Sequence, residues 1–193
     1  MGKIIISCFL FAGLFATANV DAQVRKIDTS GYQGNIGYRV WCNNKNAGEN
    51  DVSVSPKGFD KEVRDLSFPV RGRLRKILVE DVNEDGYPDL LLCIYGGANG
   101  EMGTIAGISS SGNASLVPVR FPDIYSDSKL SEGYKGHDEF SDLTGTLLRK
   151  FPIYLPADTL DKATGGTRVV QYKAMKDNGH LAFKVLRSYD VKQ

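Results

Sequence analysis

The residues best suited to recognition chemistry lie in one short run, SEGYKGH, in the C-terminal half of the chain. Its two glycines permit positive φ angles, so we expect a tight, protruding loop whose side chains face outward. An exposed serine and an exposed tyrosine on such a loop are suited to hydrogen bonding inside a polar cleft. The residues predicted to make contact are Ser131, Gly133, Tyr134, Lys135 and His137. None resembles an activated nucleophile, so the pattern favours binding, and we predict that the protein is not an enzyme.

A second run, DVNEDGYPD at residues 81–89, has the composition of a calcium loop. It places oxygen ligands at positions 1, 3, 5 and 9 and a glycine at position 6, where such a loop turns sharply. Position 12 is leucine rather than glutamate, so the run is not an EF-hand and is similar instead to the DxNxDGxxD loops of integrin-type propellers and other exported β proteins. The predicted ligands are Asp81, Asn83, Asp85, the carbonyl group of Tyr87, and Asp89. The same residues also suit a tight hairpin turn without metal, so both interpretations stay open here.

The first 22 residues have the pattern of a cleaved signal peptide. Lys3 precedes an apolar run at residues 4–15, and Val20-Asp21-Ala22 is a suitable cleavage site. The apolar run is short for a membrane span, and no second candidate follows. We therefore predict a periplasmic or secreted protein with no membrane span and one domain over residues 23–193.

The net charge of the chain bears on the class of partner. The formal net charge is +1, whereas nucleic-acid binding selects dense basic surfaces, so we expect no nucleic-acid partner.

Cys42 and Cys93 both lie in apolar, strand-like runs. In an oxidising compartment they are either one buried disulfide or two buried thiols, and the sequence leaves both open.

The hydrophobic pattern is almost entirely that of β-strands. Residues 36–42 alternate apolar and polar side chains, as a half-buried strand does. Residues 90–95 are continuously apolar, which is typical of a central strand buried on both faces. Helical signal is limited to one or two short turns at residues 122–130 and 138–143. The prediction is an all-β fold, a single antiparallel β-sandwich of about eight strands.

Several segments together resemble the periplasmic inhibitors of invertebrate-type (i-type) lysozyme. The resemblance covers nearly the whole chain after the predicted signal peptide. Their order and spacing carry the resemblance more than any one of them does. The segments are VSPKGF (54–59), VEDVNEDGYPDLLLCIYGGANG (79–100), SEGYKGHDEF (131–140), LLRKFPIYLPAD (147–158), TGGTRVVQYK (164–173) and RSYD (187–190).

The resemblance implies a β-sandwich, often a homodimer, that blocks a glycosidase cleft with a loop carrying serine and tyrosine three residues apart. Ser131 and Tyr134 match that spacing. Their hydroxyl groups would donate hydrogen bonds to the two catalytic carboxylates of the lysozyme, and Lys135 would add charge at the rim. The alternative from another class is a calcium-stabilised surface or adhesion module that uses the 81–89 run and does not inhibit lysozyme.

Overall fold

The structure is a computed structural model that describes residues 26–192, and it confirms the all-β, sandwich-like fold. The predicted signal peptide lies outside the described residues. Twelve strands occur within them: β1 Ile27–Gln33, β2 Ile36–Cys42, β3 Asn50–Lys57, β4 Leu66–Val70, β5 Arg73–Glu80, β6 Asp89–Gly96, β7 Met102–Ser109, β8 Val117–Arg120, β9 Glu139–Leu143, β10 Thr146–Pro152, β11 Thr167–Asp177 and β12 His180–Val191. A 3-10 turn at Ile124–Ser126 and the one-turn helix α1 at Ser128–Ser131 follow β8.

The strands form two sheets. The smaller has the order β1-β2-β3-β4, and the larger has the order β5-β6-β7-β8-β12-β11-β10-β9. Neighbouring strands are antiparallel except β8 and β12, which pair in parallel. The larger sheet curls until its two outer strands approach each other, where Lys76 Nζ lies 3.4 Å from the carbonyl oxygen of Phe140. The larger sheet is therefore a nearly closed barrel, and the chain has more strands than the eight predicted.

β6 is buried on both faces, as its apolar run predicts. Leu91 and Cys93 face the barrel interior, whereas Leu90, Leu92 and Ile94 belong to the layer between the barrel and the smaller sheet. Alternation along the strand produces this division, because successive side chains point to opposite faces.

Cys42 and Cys93 lie in different cores. Cys42 is in the layer between the sheets, Cys93 is inside the barrel, and both are free thiols. The backbone of β6 lies between the two side chains. Of the two alternatives that the sequence left open, the structure therefore has two buried thiols and not a disulfide.

Two local predictions were wrong or incomplete. The helical turns predicted at 122–130 are present, but 138–143 is mostly strand β9, whose Phe140 packs into the barrel. β1 was not predicted, because its side chains are exposed or only half-buried and so show no apolar alternation. Pairing with β2 along its whole length, rather than burial of its own side chains, defines this strand.

The barrel has two ends that carry different loops. The upper end holds the segment from β8 to β9 and the connections from β6 to β7 and from β10 to β11. The lower end holds the loop from β5 to β6, the loop from β7 to β8 and the hairpin turn between β11 and β12. The two runs singled out in the sequence are therefore at opposite ends.

Candidate functional site

The segment from Ser131 to His137 lies at the upper end and is held against the end of β10. The amide of Tyr154 donates to the carbonyl oxygen of Gly133 at 2.8 Å, and the amide of His137 donates to that of Glu101 at 2.7 Å. Gly133 has a φ of +71°, and a Cβ there would lie 2.7 Å from Cγ2 of Ile153. Glycine is therefore required at position 133, as predicted, but the reason is close packing against Ile153 rather than a protruding turn.

Tyr134 is the main correction to the predicted loop. Its side chain points into the barrel and is only 8% exposed, so it does not stand at a protruding tip. Its hydroxyl group donates to Asp138 Oδ2 at 2.5 Å and accepts from Arg149 Nη2 at 2.9 Å. The hydroxyl that was expected to reach a partner is satisfied inside the protein.

Asp138 and Arg149 form a buried ion pair beneath this tyrosine. Arg149 Nε donates to Asp138 Oδ1 at 2.6 Å, and the two side chains are 2% and 0% exposed. Arg149 Nη2 also donates to the carbonyl oxygen of Gly103 at 3.1 Å, and the amide of Gly103 donates to Asp138 Oδ2 at 2.6 Å. The pair is thus tied to β7 as well as to Tyr134.

Aromatic rings surround the guanidinium group of Arg149. Its Cζ lies between 5.1 and 6.0 Å from four ring centroids, those of Tyr134, Phe151, Phe140 and Phe121. Burial acts to lower the pKa of Arg149, but the hydrogen bond and the charge of Asp138 outweigh it and raise the pKa above its usual range. Burial, followed by the hydrogen bond to Asp138, raises the pKa of Tyr134. The guanidinium group stays charged, and the phenol stays protonated.

The other predicted contact residues remain accessible to different degrees. Ser131 ends α1 and is partly exposed, with its Oγ donating to the carbonyl oxygen of Asp127 at 2.9 Å. Lys135 is partly exposed, with Nζ 5.0 Å from the ring centroid of Tyr154. His137 is exposed and has a φ of +62°. The structure therefore brings the side chains of Ser131, Lys135 and His137 to the surface and Tyr134 to the interior.

Sequence reasoning missed Arg149 as part of this site. A signal was present, because β10 alternates and places Arg149 on the same face as Leu147 and Phe151, both of which are buried. A charged residue in the inward register of a strand requires a buried partner. Asp138 is that partner, but it lies immediately before strand β9, and only the fold brings the two side chains together.

The run at residues 81–89 forms a hydrogen-bonded turn at the lower end. The two carboxylate oxygens of Asp81 accept from the amides of Asp85 and Gly86, at 3.1 and 2.8 Å. The amide of Tyr87 donates to Asp85 Oδ1 at 3.0 Å. Gly86 has a φ of +88°, as a sharp turn at this position requires.

Asp89 is the buried member of this run. Its carboxylate accepts from the amides of Val82 at 3.2 Å and Ser110 at 3.1 Å, and burial raises its pKa to about 6. Within residues 26–192, no group of three or more His, Cys, Asp or Glu side chains is arranged to hold a metal ion. In this conformation the predicted ligands Asp81, Asp85 and Asp89 bind backbone amides and do not converge on one point.

Comparison with known proteins adds no relative. No protein-family model, no curated protein and no solved structure matches this chain. Across residues 26–192 there is also no helix with the length and apolar character needed to cross a membrane.

Proposed function

We propose that this protein binds and inhibits a lysozyme, with the invertebrate type as the expected target, and that the Ser131–His137 segment is the contact surface. The observation that carries the proposal is the fixed backbone of this segment, held at Gly133, Tyr134 and His137 by the hydrogen bonds described above. A surface that is rigid before binding loses less conformational entropy on association than a flexible loop does.

Tyr134 has a different role here from the one that the resemblance implies. It anchors the segment from inside, and the contacts come from the accessible groups of Ser131, Lys135 and His137. The ammonium group of Lys135 is a donor suited to the carboxylates of a glycosidase cleft. The hydroxyl group of Ser131 would become a second donor by releasing the carbonyl oxygen of Asp127. The protein would act by occupying the cleft rather than by chemistry of its own.

The test is lysis of bacterial cell walls by invertebrate-, chicken- and goose-type lysozymes, followed as turbidity, with and without the purified protein. We expect inhibition of one class, and we expect the double variant Ser131→Ala/Lys135→Ala to lose at least tenfold in potency, because about 1.5–3 kcal/mol is typical of a single charge-assisted hydrogen bond.

The matched control is Ser53→Ala/Lys57→Ala, which removes the same two side-chain types from β3 in the smaller sheet. It should inhibit as the unchanged protein does. Absence of inhibition with all three lysozymes, or equal losses in both double variants, would count against the proposal.

A second candidate is a calcium-stabilised binding module, favoured by the buried carboxylate of Asp89. The amides of Val82 and Ser110 and the hydroxyl group of Ser109 are neutral donors to this carboxylate, and burial of the anion outweighs them, as its raised pKa reflects. A cation held by Asp81, Asn83, Asp85 and Asp89 would offset that cost, provided that these side chains turned toward a common point.

For this candidate we expect calcium to raise the melting temperature relative to chelator, with a larger shift at higher calcium concentration, because a ligand that binds only the folded state stabilises it by mass action. Asp81→Asn should abolish the shift, whereas Asp51→Asn, an exposed carboxylate on β3, should keep it. Identical melting curves in calcium and in chelator would indicate that residues 81–89 form a hydrogen-bonded turn that does not bind calcium.

A further inference from the structure

The lower end of the barrel contains a groove that neither predicted site uses as a whole. Its volume is about 790 Å³, and it runs between the 81–89 loop and the tip of the β11–β12 hairpin. This volume is within the range typical of small-molecule sites, and the mouths of β-barrels are common places for them. The groove is at the opposite end of the barrel from the Ser131–His137 segment, so it is independent of lysozyme binding.

One wall of the groove is polar and rigid. It presents the side chains of Asn83, Asp85, Ser109 and Ser111. Asn83 Nδ2 donates to Ser109 Oγ at 3.1 Å, and the amide of Gly112 donates to Asp85 Oδ2 at 3.1 Å. These bonds link the β5–β6 loop to the end of β7 and to the β7–β8 loop, so the carboxylate, amide and hydroxyl groups are held in place before a ligand arrives.

The other wall is apolar. The residues that form it, from β8, β11 and β12, are Val117, Pro118, Ala174, Met175 and Leu181. Ala174 is buried at the base, whereas Met175 is 51% exposed. A large apolar side chain that is half exposed beside a groove offers surface for a ligand to cover.

The rim beside the apolar wall is basic. Lys176 and His180 line it at the hairpin tip. Asp177 lies between them in the sequence, but its carboxylate forms an ion pair with Lys184 at 2.7 Å, so its negative charge is balanced by that lysine. The ammonium group of Lys176 therefore favours an anionic group on the ligand at this side, and the carboxylate of Asp85 favours donors at the other.

We infer that this groove binds an oligosaccharide that carries a carboxylate. The hydroxyl groups of a sugar ring would donate to Asp85 and Asn83 and exchange hydrogen bonds with Ser111, while the C–H face of the ring covers Met175 and Leu181. The carboxylate of the sugar binds Lys176. Neutral sugars satisfy the first two requirements but not the third, so the groove prefers the acidic class.

The test is a titration of the isotope-labelled protein, followed by backbone amide chemical shifts, with tetragalacturonate as the acidic probe and chitotetraose as the neutral one. We expect saturable shifts at residues 109–118 and 174–181 with the acidic probe and at least tenfold weaker binding of the neutral probe. Lys176→Glu should weaken the acidic probe at least tenfold, since it replaces a charge-assisted contact with a repulsive one.

The control is Lys150→Glu, which makes the same change at an exposed lysine on β10, outside the groove. Saturable shifts that Lys176→Glu weakens and Lys150→Glu preserves would support the site. No saturable shifts, shifts confined to other residues, equal binding of both probes, or equal losses in both variants would overturn it. Since none of these readouts involves lysozyme, failure here is separable from failure of the proposed inhibition.

Discussion

Replacing Arg149 with methionine is expected to lower the free energy of unfolding by about 3–5 kcal/mol, because removing one member of a buried ion pair leaves the other charge uncompensated. Asp138 would keep its carboxylate in the barrel with Tyr134 and the amide of Gly103 as its remaining donors. Urea unfolding followed by tryptophan fluorescence or circular dichroism measures the loss. Methionine fills a similar volume, so the effect is due mainly to charge and hydrogen bonding.

The control is Arg39→Met, which breaks an ion pair of the same type at the surface. Arg39 Nε lies 3.0 Å from Asp28 Oδ1, but the two side chains are 58% and 39% exposed, so solvent screens the pair and little change is expected. The double variant Arg149→Met/Asp138→Asn should recover part of the loss. If Arg149→Met and Arg39→Met proved equally mild, the buried pair would not have the role described.

Tyr134→Phe is expected to lower the free energy of unfolding by about 1.5–3 kcal/mol, because it removes a hydroxyl group bonded to two charged side chains. The ring can keep its edge-to-face contact with Phe151, whose centroid lies 4.9 Å away. The same denaturant titration measures the change. Tyr134→Ala would lose the ring as well and is expected to cost about 3–5 kcal/mol, as for other large buried rings.

Tyr125→Phe is the matched control for this hydroxyl group. The Tyr125 ring packs edge-on against Tyr134 at 5.7 Å, yet its side chain is 57% exposed, so loss of its hydroxyl should leave stability unchanged. A full-stability Tyr134→Phe variant with reduced lysozyme inhibition would instead indicate a phenol that reaches a partner. These two outcomes separate an internal anchor from an exposed contact residue.

The parts of the fold that could be predicted are those in which one strand carries its own signal. β2 has the bounds that its alternation indicates, and β6 has the double burial that its continuous apolar run indicates. β1 has no such signal, because it is a strand only through its pairing with β2. Residues 138–143 are predicted from the sequence as a helical turn, but pairing with β10 makes Glu139–Leu143 a strand.

The candidate site shows the same limit. The glycines around Tyr134 correctly predicted positive φ angles in this segment. The sequence could not show that Ile153 packs so closely against the segment that only glycine fits at position 133. Polar neighbours made Tyr134 look solvated. Its burial depends on Arg149, which is fifteen residues away in the sequence, and on a barrel interior that holds an ion pair. Such a polar network is a property of the closed sheet rather than of any local pattern.

The position of β6 between the two cores also determines how the molecule can come apart. Leu90, Leu92 and Ile94 supply the floor beneath the smaller sheet, and Leu91 and Cys93 line the barrel. Opening of either layer removes the packing from one face of β6, so each layer contributes to holding this strand in place. We therefore expect the two sheets to unfold as one cooperative unit, and we expect a chain shortened to the barrel alone to expose a row of leucine and isoleucine side chains prone to self-association.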